Sequence, residues 1–157
     1  MQILLIADRD EETRKRIAGF FNESEYSVIE TDSVDVVLHD VLKKDARVIL
    51  LGSEFDGLSA IKIIPLLKKC NQNLTIILIS NEESPAIIRR FRREGIFYHA
   101  LKPVNSDDQE ELRQVVQCAF DNSSDKIISQ KTPAGRLCKE RPAPEQDKKT
   151  QNNFKEN

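Results

Sequence analysis

Leu74-Thr75-Ile76-Ile77-Leu78-Ile79-Ser80 decides the fold of this chain. A short, continuous apolar run rich in β-branched residues reads as a strand buried on both faces, as in a parallel sheet. Toward the N-terminus, Arg47-Val48-Ile49-Leu50-Leu51 has the same character and runs into Gly52. Further back, Ile3-Leu4-Leu5-Ile6-Ala7 runs into Asp8. Toward the C-terminus, Phe97-Tyr98-His99-Ala100-Leu101 runs into Lys102-Pro103. In an open parallel sheet the ligand crevice lies at the carboxyl ends of the strands. An acid, a hydroxyl and an amine therefore converge on one small region, and its central position, Gly52, carries no side chain.

Helical patterns fill the gaps between these runs. Asp10 to Asn22 places Ile17, Phe20 and Phe21 at helical spacing, with Asp10 as N-cap and Glu11 and Glu12 in the first turn. Tyr26 to Glu30 is a short strand, and Ser33 can cap a second helix through Val36, Val37, Val41 and Leu42. Gly57 to Cys70 reads as a third helix, with Asp56 as its N-cap and Pro65 as a candidate kink. Ser84-Pro85 opens a fourth helix and Gly95 closes it. Asp107 or Asp108 starts a fifth, which is expected to reach about Phe120. Five strands alternating with five helices predict a doubly wound, five-stranded parallel α/β sheet. Residues 1–122 form the predicted domain. Residues 123–157, rich in Lys, Gln, Asn, Ser, Pro and Glu, are expected to be a disordered polar tail, because they cannot bury enough apolar surface to offset chain entropy.

Composition narrows the function classes. With 157 residues and a formal net charge of −2, the chain has no global pull toward nucleic acid or anionic membrane. No apolar run approaches the length of a membrane span, and no secretory leader is expected. Cys70, Cys118 and Cys138 follow no CxxC spacing, so reduced thiols in a cytoplasmic protein are the expectation. His39 and His99 have no Cys or second His at ligand spacing, so no metal site and no cofactor are expected.

The combination of Leu5-Ile6-Ala7-Asp8, Ile77-Leu78-Ile79-Ser80 and Leu101-Lys102-Pro103 resembles the receiver domain of bacterial two-component response regulators. Ser80 and Lys102 stand 22 residues apart, as that pattern requires. The resemblance covers residues 1 to about 120 and implies a flavodoxin-like (βα)5 fold. It also implies a chemistry. In the family, an acidic pair after the first strand and an aspartate after the third bind Mg²⁺, and that aspartate accepts a phosphoryl group. The lysine neutralises the phosphoryl charge, the hydroxyl moves toward it, and the Lys-Pro bond is usually cis.

This chain departs from that pattern. Arg9 occupies the second position of the acidic pair. Gly52 aligns with the phosphoacceptor. The following loop, Gly52-Ser53-Glu54-Phe55-Asp56-Gly57, is shorter than the family's and keeps only Asp56-Gly57 of it. The remnant site is therefore Asp8, Arg9, Gly52, Ser80 and Lys102, a degenerate receiver without its phosphoacceptor. Asp8 is expected to pair with Lys102 or Arg9, and Ser80 to be a satisfied strand-end serine.

The expected function is a phosphorylation-independent protein-interaction module of a signalling pathway, not an enzyme. An alternative is an atypical phosphate-accepting receiver that uses Asp56 or Glu54. A nucleic-acid-binding regulator is a third reading, disfavoured because no aromatic platform or recognition helix is present. Arg89, Arg90, Arg92 and Arg93, together with His99, form the candidate interaction face. The resemblance makes the fourth helix, fifth strand and fifth helix the partner or homodimer surface.

Overall fold

The computed structural model describes residues 2–21 and 26–128. Five strands form one parallel sheet: β1 (Gln2–Ala7), β2 (Tyr26–Thr31), β3 (Ala46–Gly52), β6 (Thr75–Ile79) and β7 (Tyr98–Ala100). Their order is β2-β1-β3-β6-β7. The helices are α1 (Glu11–Phe21), α2 (Val34–Leu42), α3 (Ala60–Cys70), α4 (Pro85–Glu94) and α5 (Ser106–Ile128). The doubly wound fold is as expected, and β6 and β7 are its fourth and fifth sheet strands.

Alternation along each strand builds two cores. Leu5, Ile49, Leu51, Ile76 and Leu78 face one side, against Val37 and Val41 of α2, Ile63, Ile64 and Leu67 of α3, and Phe91 of α4. Leu4, Ile6, Val48, Leu50, Ile77 and Ile79 face the other, against Ile17 and Phe21 of α1 and Leu112, Val116 and Phe120 of α5. Because both faces are covered, the strands read as continuous apolar runs rather than alternating ones.

Three local expectations change. The segment after β3 is not a simple loop into α3. Glu54–Phe55 (β4) and Leu58–Ser59 (β5) pair antiparallel as a small hairpin. Asp56 and Gly57 turn it with φ values of 54° and 76°, the doubly left-handed geometry that an Asp-Gly pair favours in two-residue hairpins. Helix α3 consequently starts at Ala60, with Ser59 in the N-cap position. Asp56 does not cap α3. Its Oδ2 accepts from the Val34 N–H at 2.9 Å and so caps α2 across the chain. Ser33 occupies the N-cap position of α2, but its side chain makes no cap bond.

Helix α5 continues to Ile128 rather than ending near Phe120, and Ser123 within it is buried. Polar residues do not stop a helix that is already packed through Leu112, Val116 and Phe120. The rest of the expected tail, residues 129–157, lies outside the described residues. Cys70 is free; Cys138 lies outside the described residues. Among the described residues no helix is long and apolar enough to cross a membrane.

Candidate functional site

Strand order reverses between β1 and β3, and the crevice of such a sheet opens there. Ala7 pairs with Leu51, so Asp8 and Gly52 meet at the strand ends. Asp8 is 6% exposed. Its Oδ1 accepts from the Asp10 N–H at 2.9 Å. A Cβ placed on Gly52 would lie 2.5 Å from Asp8 Oδ2, 2.6 Å from its Cγ and 3.0 Å from its Oδ1. The Asp8 carboxylate thus fills the space in which a side chain at position 52 would begin.

The loop around Asp8 holds itself together without the expected cations. Arg14 Nη1 donates to the Asp8 carbonyl at 2.8 Å and to the Arg9 carbonyl at 3.4 Å. Asp10 caps α1 as expected, accepting from the Thr13 N–H at 3.1 Å and from the Thr13 hydroxyl. The Thr13 hydroxyl, first, holds the Asp10 carboxyl below its ordinary range, and the positive charge of Lys102 adds to this. Arg9 turns outward and pairs with Glu54 at 3.2 Å.

The expected pairing of Asp8 with Lys102 or Arg9 is therefore not found. The Asp10 N–H satisfies Asp8 locally, and Glu54 draws Arg9 away. The Lys102 backbone N–H donates to Asn81 Oδ1 at 3.1 Å, and its ammonium makes no ion pair among the described residues. Nor is any peptide bond among those residues cis, Lys102-Pro103 included.

Ser80 is satisfied, as expected. Its Oγ lies 3.0 Å from His99 Nε2 and accepts from the Glu82 N–H at 3.3 Å. With one N–H already donated to it, the hydroxyl is free to donate to an unprotonated Nε2. Burial, first, lowers the His99 pKa below the ordinary imidazole value, and the charge of Arg92 adds to this. A hydrogen bond with the Ser80 backbone and the charge of Glu82 oppose it. His99, half-buried, thus has one ring nitrogen turned to Ser80 rather than to a partner.

The four arginines of α4 are all exposed. A period of 3.6 residues places Arg89 and Arg93 on the outer face, with Arg90 and Arg92 on opposite flanks. Arg90 borders a cleft of about 550 Å³ between the hairpin and α4. Sequence reading missed this cleft, because it depends on the hairpin.

The residues at the crevice do not fit a Mg²⁺ ion. Among the described residues Asp10 is committed to its cap, Gly52 offers no ligand, and a hard dication needs several oxygen ligands. Among the described residues no three His, Cys, Asp or Glu side chains cluster to hold a metal.

Comparison with known proteins agrees with this architecture. The response regulator receiver domain family model matches residues 4–117. The chemotaxis response regulator CheY4 of Vibrio cholerae is similar at 17% identity and a TM-score of 0.64, over 73% of this chain and 98% of that one. A CheY-like response regulator receiver domain protein from Methanospirillum hungatei is similar at 14% identity and a TM-score of 0.68, over 80% of this chain and 98% of that one. NtrX from Brucella abortus gives 20% identity and a TM-score of 0.70, over 80% of this chain but 29% of NtrX. At these identities the structural likeness establishes the fold alone. No curated protein matches the sequence.

Proposed function

The chain belongs to the response regulator receiver domain family, and from that premise we propose that it is a cytoplasmic, non-enzymatic signalling module that acts by protein contact without being phosphorylated. One observation carries this reading. Where the family's acceptor aspartate would project, position 52 is glycine, and the Asp8 carboxylate already occupies the space. Two further features support it. Arg9 brings a cation into the position of an acidic ligand. Ser80, the residue matching the switch hydroxyl, is spent on His99 and the Glu82 N–H.

The working surface in this reading is α4, β7 and α5. Arg89, Arg92 and Arg93 stand exposed on α4, and Leu101 and Val104 are exposed just beyond β7 at 55% and 79%. Arginine beside exposed apolar side chains is a composition suited to partner binding. The partner is a signalling protein or a second copy of this chain.

The alternative, phosphate acceptance at another carboxylate, has unequal support at its two candidates. Asp56 is committed to the N-terminus of α2. Glu54 lines the same cleft as Ser80, which is the observation that keeps this reading in play. Titrating the protein with Mg²⁺ and then beryllofluoride, followed by amide NMR, tests the choice. The proposal expects no saturable shifts at Asp8, Ser80 or His99. Saturable shifts at Ser80 and Glu54 would favour the alternative.

A further inference from the structure

Four hydrogen bonds link His99, residue by residue, to the start of α4. The Ser80 hydroxyl lies 3.0 Å from His99 Nε2. Its oxygen accepts from the Glu82 N–H at 3.3 Å. Glu82 Oε1 accepts from the Ser84 N–H at 2.8 Å. Ser84 is the N-cap of α4, and its Oγ accepts from the Ile87 N–H at 3.4 Å. The Ser80 N–H also donates to the Ala100 carbonyl at 3.0 Å, which fixes Ser80 beside β7. The helix at the far end is lightly held, because Phe91 is the one buried residue of α4. Few buried contacts put an element at the low-stability end of a fold, so the bonds at its N-terminus matter to its position.

The near end can titrate. Ser80 is 3% exposed, and its one hydroxyl proton is left for Nε2 because the oxygen already receives the Glu82 N–H. That arrangement needs an unprotonated Nε2. Once protonated, Nε2 is a donor, and the hydroxyl has to rotate to accept from it or release it. Either way a buried hydroxyl proton loses its acceptor. His99 is in register with Leu78, on the sheet face that α4 covers. The charged groups that bear on the ring are Arg92 of α4 and Glu82. Helix α5 covers the other face, where the Tyr98 hydroxyl donates to Glu111. Burial, then Arg92, disfavour the imidazolium, whereas a hydrogen bond with the Ser80 backbone and Glu82 favour it. Attraction of Glu82 to a charged ring competes with its hold on the Ser84 N–H.

We propose that His99 is a proton-operated switch: protonation of its ring breaks the relay through Ser80, Glu82 and Ser84 and shifts the N-terminal turn of α4. The input is a proton, and the device needs no carboxylate at position 52. The switch stands on contacts within one chain. Its use in regulating a partner rests on the reading of α4, β7 and α5 as the contact face.

Amide and imidazole NMR of the full chain between pH 5 and pH 8 tests the switch with no partner present, so the result is independent of whether that face binds one. The amides of Glu82, Ser84, Ile87 and Phe91 are expected to titrate with the midpoint of the His99 ring, below the ordinary imidazole value of about 6.5. His39, exposed on α2, is the internal control, and its midpoint should not govern those amides. Ser80→Ala cuts the relay and leaves the ring: His99 should still titrate, while Ile87 and Phe91 lose most of their response. His99→Gln keeps an acceptor for the Ser80 hydroxyl and should abolish the response of all four amides. The proposal is overturned if His99 titrates without moving Ile87 and Phe91, if its ring stays neutral down to pH 5, or if the α4 response survives in either variant.

Discussion

The Asp8 carboxylate stands where a side chain on Gly52 would begin, with its Oδ2 2.5 Å from the position of a Cβ there. Glycine at position 52 is thus a steric requirement of the Asp8 conformation. An aspartate introduced at position 52 could not be accommodated unless Asp8 also moved.

Gly52→Ala is expected to destabilise the fold by about 1–2 kcal/mol, because Asp8 must leave its bond to the Asp10 N–H in a buried, close-packed setting. In the Asp8→Ala background the same change should cost much less, since the clashing atoms are gone. A double-mutant cycle in chemical denaturation measures the coupling. Additive effects would mean that Asp8 gives way freely.

Asp56→Ala removes the acceptor that holds the Val34 N–H and should lower stability by about 1 kcal/mol, as loss of an N-cap does. Asp56→Asn retains a side-chain acceptor and tolerates the left-handed backbone, so it should keep most of that stability. Thermal denaturation of the two variants, side by side, checks the assignment. Equal losses in both would place the role of Asp56 in its charge.

His99 should make stability depend on pH. Its folded pKa is lowered by burial, so the unfolded chain binds the proton more readily. Unfolding therefore takes up protons in this window, and stability rises with pH there. The contribution is present above the ordinary imidazole value of about 6.5 and is lost as pH falls from there through the folded pKa. Denaturant midpoints between pH 5 and pH 8 should slope upward with pH in the native chain. In His99→Gln the slope should be reduced; an unchanged slope would remove His99 as its source.

Replacing Arg89, Arg92 and Arg93 together by Gln should leave the melting temperature nearly unchanged, because these side chains are exposed. The same variant should weaken self-association or partner capture, most clearly at low salt. Retained association at low salt would make α4 an ordinary solvated helix.

The strands and α4 were readable because their signals are local. Strands covered on both faces are apolar throughout, and Ser84, Pro85 and Gly95 mark helix ends by backbone chemistry that does not depend on distant residues. The hairpin was within reach, since Asp56-Gly57 is a turn signal, but two-residue strands show no periodicity and the helical pattern that follows masked them. Two features of the site were not readable. The side-chain conformation of Asp8 depends on the Asp10 N–H, and the turn of Arg9 away from it depends on Glu54, 45 residues along the chain. The need of a buried strand-end carboxylate for a partner suggested a pair with Lys102 or Arg9, but Asp8 finds its partner within its own loop.

The central claim is that this receiver is not phosphorylated, and incubation of the full chain with acetyl phosphate and Mg²⁺, followed by intact mass measurement, tests it most directly. The account predicts an unchanged mass, with Gly52→Asp equally unmodified while Asp8 is retained. A species heavier by one phosphoryl group in the native chain, lost on replacing Glu54 or Asp56, would contradict it.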